Sequence, residues 1–382
     1  MERNKRNARI RSVWTSTCAA LFVTLSIVLP AVAENSVIDS NTAGKGTTTK
    51  VVTASTCHNI DQLVGSKVAT EHGTGVAIAV IENDKIVFQK CYGYANVSKR
   101  IPVTPKTIFG MASITKTFTS TALLKLVEQG KIDLNKPINS YLVDPSSRWK
   151  DITVLQLANM TSGLPHDLLV SLPWVDQYDV IKMERLAFKP GTQVQYSNIG
   201  YRLLGQIIEN VSGQSYLDYV RKVILAPIGM KSTGSLNEVA STGLLAVPYV
   251  VAPGGRLKQV TYHNAADNYA AGMLFSNLDD MAKYARALLN GKILSGDSYD
   301  TMWFKRSKMP DGTLCYWAFG WANRLADLDK KRYMVGMNGE LPGIAANIIL
   351  FPDSKVAIIT LSNMDSKINL TLAYLVSQLI LP

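Results

Sequence analysis

Ser113 and Lys116 lie three residues apart in Phe109-Gly110-Met111-Ala112-Ser113-Ile114-Thr115-Lys116-Thr117-Phe118, the spacing a serine nucleophile served by an amine requires. Residues three apart share one face of a helix. A hydroxyl in the first turn meets the positive end of the helix dipole and N–H groups with no helical partner. An ammonium buried one turn further on gives up its proton more readily, and the neutral amine can then take the serine proton. Apolar residues continue at helical spacing to Val127 and Gly130 supplies a stop, so the pair is predicted in the first turn of a buried helix. The spacing alone is a weak signal, because Ser147-Arg148-Trp149-Lys150 repeats it in a polar stretch with no helical pattern behind it.

A second cluster is Tyr196-Ser197-Asn198, between the Pro190-Gly191 turn and a helix starting near Gly200. A phenol beside a buried lysine can act as general base for Ser113 and as acid toward the leaving group. The Asn198 amide can donate to a substrate carbonyl. Tyr94-Ala95-Asn96 and Tyr262-His263-Asn264 share the pattern, where a loop tyrosine with a bonded hydroxyl is the simpler reading. Only the Tyr196 copy sits on a short loop between a turn and a helix.

These groups need a frame, and the hydrophobic pattern supplies one. Gly75–Ile81 and Lys85–Gln89 read as strands joined by a turn at Asn83-Asp84. A helical middle follows: Leu204, Ile207, Ile208 and Val211 trace one face ending at Gly213, and Leu278, Met281, Ala282, Ala285, Leu288 and Leu289 another ending at Gly291. Strand character returns at Trp317–Trp321, Tyr333–Met337, Ala345–Phe351 and Val356–Leu361. Asp365 is placed to cap a last helix. The implied fold is α/β (α+β): an antiparallel sheet built from both ends of the chain (58–112 and 312–382), flanked by helices, with a mainly helical lobe (113–311) inserted between its halves.

The first 33 residues read as a leader rather than as part of the fold. Arg3, Lys5, Arg6, Arg9 and Arg11 precede an apolar run from Cys18 to Leu29, and Ala31-Val32-Ala33 forms a cleavage site. The expected protein is exported, periplasmic or secreted, without a transmembrane span once the leader is removed. Residues 34–57, rich in Ser, Thr and Gly, read as a flexible tether, with a short helix expected from about Ile60 to Ala69. The whole chain has 40 basic and 29 acidic residues; without the leader 35 and 28 remain, a net charge of +7. That excess is scattered apart from Lys330-Lys331-Arg332, and no nucleic-acid motif accompanies it. Cys57, Cys91 and Cys315 are odd in number, so at most one bridge forms within the mature chain. No Cys/His cluster has metal-ligand spacing, and no cofactor is implied.

Taken together, Phe109-x-x-Ala-Ser-Ile-Thr-Lys116, Leu126–Leu134, Asn159-Met-Thr-Ser-Gly-Leu-Pro165, Pro190-Gly-Thr-x-x-x-Tyr-Ser-Asn198, Gly200-Tyr-x-Leu-Leu-Gly205, Pro227–Met230, Ala271–Met273 and Gly336–Gly343 resemble, in order and spacing, the serine β-lactamase and penicillin-binding family. The similarity favours its class C β-lactamase and D-alanyl-D-alanine carboxypeptidase branch. The resemblance implies an acyl-enzyme on Ser113, with Lys116 and Tyr196 moving the proton. It also implies an oxyanion hole from the N–H groups of Ser113 and Glu340, with Asn198 and the Met337-Asn338-Gly339 strand contacting substrate. Gly339 is expected to keep the strand open to substrate. Met337 departs from the family pattern, which has Lys or His there, and a thioether is only a weak acceptor. This implies a substrate lacking a carboxylate at that point, weakened turnover, or a replacement charge from Lys330, Lys331 or Arg332. The expected ligand is a small molecule or peptide: D-Ala-D-Ala peptides or β-lactams first, short esters for a carboxylesterase second. A cell-wall peptide-binding relative without turnover is the third reading.

Overall fold

The computed structural model describes residues 52–167, 174–262, 268–325 and 333–380. The leader, most of the tether and the basic cluster Lys330-Lys331-Arg332 lie outside the described residues, as do His263 and Asn264. Among the described residues, seven strands form one antiparallel sheet. In chain order they are β1 (Val76–Glu82), β2 (Lys85–Tyr92), β3 (Trp317–Ala318), β4 (Trp321–Leu325), β5 (Tyr333–Leu341), β6 (Ile344–Phe351) and β7 (Val356–Ser362). Their spatial order is β2-β1-β7-β6-β5-β4-β3. The join between chain ends is β1 on β7, running from Val76 opposite Ser362 to Glu82 opposite Val356.

Every residue of β1, β6 and β7 is buried, because both faces of the sheet are covered. Val76, Ile78 and Val80, with Val356 and Ile358, pack against Ile60, Val64, Leu372 and Val376 of two terminal helices. These helices are α1 (Ala54–Val68) and α5 (Lys367–Ile380). The alternate residues Ala77, Ala79, Ile81, Met337, Ile348 and Ile359 join the larger core of the helical lobe. Two buried faces explain why these strands read as continuous apolar runs instead of an alternation.

The helical lobe centres on α2 (Thr115–Glu128), α3 (Asn198–Ser212) and α4 (Leu278–Leu289). Helix α3 ends with Gly213 at φ +69°, the left-handed stop its sequence announced. Among the described residues no helix is long and apolar enough to cross a membrane.

Several boundaries move. Helix α1 starts at Ala54, capped by Thr53, whose hydroxyl accepts from the Thr56 N–H; the end of the expected tether is therefore helical. Trp317–Trp321 is a hairpin and not one strand: Phe319 and Gly320 turn at φ +48° and +78°, as a two-residue connection requires. Strand β5 runs on to Leu341. The cap of α5 comes from Ser366, whose hydroxyl accepts from the Asn369 N–H at 3.0 Å, while the Asp365 carboxylate is bonded to the backbone of Gly343.

Candidate active site

The turn that carries Ser113 is tighter than the helix expected from sequence. Ala112–Ile114 form a 3-10 turn that runs directly into α2. Ala112 sits at φ +43°, left-handed backbone that costs a residue with a side chain about 1 kcal/mol or more. Neighbouring bonds hold it there: the Met111 N–H donates to the Leu274 carbonyl at 2.9 Å, and the Leu274 N–H donates to the Thr115 hydroxyl at 3.1 Å. The chain segment after residue 268 thus grips the turn from one side.

Two side chains meet on the Ser113 oxygen. Lys116 Nζ lies 3.0 Å from Ser113 Oγ, and the Tyr196 hydroxyl donates to the same Oγ at 2.7 Å. Lys116 is fully buried, donates to the Ala271 carbonyl at 2.8 Å, and lies 4.9 Å and 5.7 Å from the ring centres of Tyr196 and Tyr201. Burial holds its pKa well below the ordinary 10.5; the Arg202 cation pushes the same way and the Asp167 carboxylate opposes it. Burial moves Tyr196 in the opposite sense, raising its hydroxyl above the ordinary phenol value, with the bond to Ser113 opposing. The resting pair is therefore an amine inclined to neutrality and an intact phenol. Of the two, Lys116 is the stronger candidate for first proton acceptor and Tyr196 for donor, which narrows the double role expected of the tyrosine.

Tyr196 reaches Ser113 because its loop is sewn to the Asn159–Pro165 segment. The Gly191 N–H donates to the Thr161 carbonyl at 2.7 Å, and the Gln195 N–H to that of Met160 at 2.9 Å. Ser197 caps α3, accepting from the Gly200 N–H at 3.0 Å while its hydroxyl donates to the Pro165 carbonyl at 2.7 Å. The Tyr196 ring stands between His166 and Trp317, at centroid distances of 5.4 and 5.5 Å. Partial desolvation lowers the His166 pKa from the ordinary 6.5, with the Asp167 carboxylate opposing.

Asn198 is half-buried, and its side-chain N–H donates to the Asp167 carboxylate at 2.9 Å. Asp167 in turn pairs with Arg202 at 2.7 Å. Sequence reasoning missed Asp167, His166, Arg202 and Trp317. A signal for Arg202 was present: it is an arginine between Tyr201 and Leu203 on a helix that is otherwise apolar there, and a fully buried charge demands a partner.

The third strand motif divides between the two sides of the sheet. Met337 and Gly339 are buried on the side of the helical lobe, while Asn338 and Glu340 are exposed and alternate with them. A Cβ on Gly339 would lie 2.0 Å from the Met111 carbonyl oxygen and 3.4 Å from the Ala112 Cβ. The glycine is thus required by the close approach of β5 to the serine turn, a tighter constraint than clearance for substrate. Strand β4 pairs with β5 only as far as Ala322 opposite Gly336, so the edge of β5 from Met337 onward continues beyond that partner. The other Ser-x-x-Lys match, Ser147 and Lys150, is exposed on a surface turn. The three described cysteines are free thiols.

Comparison with known proteins agrees with this fold. The family model described as Beta-lactamase matches residues 60–377. Protein flp of Staphylococcus aureus (strain MW2) is 28% identical over 324 residues, covering 81% of this chain, which spans only 63% of that relative's length. Penicillin-binding protein 4* of Bacillus subtilis (strain 168) is 27% identical over 321 residues, covering 77% of this chain and 69% of its own. The octameric penicillin-binding protein homologue from Pyrococcus abyssi superposes with a TM-score of 0.75 at 29% identity, over 84% of this chain and 77% of that one. A match that extends over most of the chain, on a fold shared with penicillin-binding proteins, places this protein in the beta-lactamase family.

Proposed function

We propose that the protein is an exported serine acyl-hydrolase that forms an acyl-enzyme through Ser113 on β-lactams or D-Ala-D-Ala peptides. The observation that carries the reading is the convergence of a buried lysine and a phenol on the Ser113 oxygen, at 3.0 and 2.7 Å. In the acylation step the Ser113 hydroxyl gives its proton to neutral Lys116 as Oγ bonds to the substrate carbonyl carbon. Tyr196 delivers a proton to the departing nitrogen or oxygen, and is recharged through Lys116. Water then attacks the ester by the reverse path and frees Ser113. The carbonyl oxygen carries the developing charge, and the N–H groups of Ser113 and Glu340 are the proposed donors to it. The close packing of Gly339 on Met111 and Ala112 supports this by holding the strand beside the serine turn. One such donor contributes roughly 3 kcal/mol to the transition state.

Intact-mass measurement after incubation with a penicillin, on the wild type and on Ser113→Ala, tests the proposal. An adduct or a hydrolysed lactam in the wild type only is the expected result. Rapid cleavage of short acyl esters with no response to a lactam or a D-Ala-D-Ala peptide would instead identify a carboxylesterase. Peptide binding that survives Ser113→Ala, with no adduct in the wild type, would identify a binding protein. Met337, buried where the family usually carries a cation, makes the lactam-against-ester comparison the most informative one.

A further inference from the structure

Behind the site lies a buried guanidinium that the reaction as described does not use. Arg202 stands one turn along α3 from Asn198 and is 4% exposed. One nitrogen donates to the Asp167 carboxylate at 2.7 Å and to the Gln177 side-chain carbonyl at 2.9 Å. The other donates to the Asn268 side-chain carbonyl at 2.9 Å. Two of these three partners, Asp167 and Asn268, lead back to the nucleophile. Asp167 accepts from Asn198 through its second oxygen. Asn268 precedes the 3-10 turn Tyr269–Ala271, which supplies the carbonyl that holds Lys116 Nζ. One side chain therefore spans two loops that are about a hundred residues apart in sequence, and each loop grips a different member of the site.

We propose that Arg202 is a positioning residue that locks the 165–167 loop and the 268–271 turn together, fixing Asn198 and Lys116 relative to Ser113. The proposal rests on the reading of Ser113 as nucleophile. A guanidinium suits the task because its planar fork can serve several acceptors at once, which an ammonium at the same place does with poorer geometry. The same pair acts on the Lys116 charge: Arg202 disfavours the ammonium and Asp167 favours it. The other ionisable groups around Lys116 are Tyr196, Tyr201 and His166. All three remain present in the variants below.

The test compares wild type with Arg202→Met, Arg202→Lys and Asp167→Asn by two readouts. The first is the rate of acylation by a penicillin or a chromogenic ester against pH. The second, independent of turnover, is the Lys116 titration followed by carbon NMR of its ε-methylene, assigned with Lys116→Met. Arg202→Met is expected to slow acylation by about 100-fold, as misplacement of a reacting group does, and Arg202→Lys by less. The Lys116 titration should move up in Arg202→Met and down in Asp167→Asn. A merely structural pair would lower the melting temperature in both and leave the titration unmoved, or move it the same way in both; either result overturns the proposal. Should Arg202→Met fail to fold, Arg202→Lys and the near-isosteric Asp167→Asn still decide it. A wild type that is not acylated at all would sink the hydrolase reading, and the NMR titration would still judge the clamp.

Discussion

The backbone of Gly339 lies against the carbonyl of Met111 so closely that an added Cβ would come within 2.0 Å of its oxygen. A strand from the C-terminal half of the sheet is thereby pressed onto the turn that carries Ser113, which follows the N-terminal half. Gly339→Ala must push the two apart, since neither partner is a flexible side-chain tip. The expected cost is about 1–3 kcal/mol of stability, with acylation reduced by about 100-fold as the proposed oxyanion donors separate. Denaturant unfolding and burst-phase acylation measure the two effects. A variant as fast and as stable as wild type would refute the contact.

Lys116 makes a prediction with two signs. With the neutral amine as the proposed acceptor, its lowered pKa predicts that acylation rises with pH through that value and levels above it. Stability follows the same direction. Between the lowered value and 10.5 the unfolded chain binds a proton at this lysine that the folded chain does not, so folding gains as pH rises across that window. Lys116→Met should lower acylation by at least about 100-fold and remove this part of the pH slope, without lowering the melting temperature at pH 7. Thermal melts across pH beside single-turnover kinetics provide the check.

For Tyr196 the expectation concerns the hydroxyl alone. Tyr196→Phe keeps the ring between His166 and Trp317 and removes only the atom bonded to Ser113. Acylation should fall by about 100- to 10,000-fold, with the melting temperature changed by the loss of roughly one hydrogen bond, about 1 kcal/mol. Unimpaired turnover in this variant would mean that the proton travels by another route.

Cysteine chemistry is expected to be quiet. Burial raises the thiols of Cys91 and Cys315 to about 11, and the thiolate is the reactive form. Alkylation of the native protein near pH 8 should leave both unmodified, while denatured protein takes up reagent at Cys57, Cys91 and Cys315. Peptide mass mapping distinguishes the two, and a disulfide among these three residues would contradict the structure.

How much was legible beforehand depended on the range over which each residue acts. Ser113 and Lys116 are three residues apart, so one turn of backbone fixes their meeting and the spacing revealed it. The two-sided burial of β1, β6 and β7 left apolar runs that announced strands, and Gly130 and Gly213 marked helix ends because left-handed backbone favours glycine. The Trp317–Trp321 hairpin escaped because Phe319, a bulky residue, takes the left-handed turn position that glycine or asparagine usually marks. Asp167 escaped for a different reason: it is an ordinary carboxylate in a loop, and its pairing with Arg202, the lone charge on an apolar stretch of helix, is made only by the fold.

The sequence by itself determined most of the local elements and singled out Ser113, Lys116 and Tyr196 as candidate reacting groups, since periodicity, caps and short motifs are written within a few residues of one another. Only the tertiary structure decided that the Tyr196 hydroxyl, singled out by its motif, lies against Ser113, that Lys116 is stripped of water, and that Arg202 ties two distant loops to the site. These facts follow from which surfaces exclude solvent when the sheet closes and the helices pack. Burial of that kind is a property of the whole assembled chain, and no short window of residues contains it.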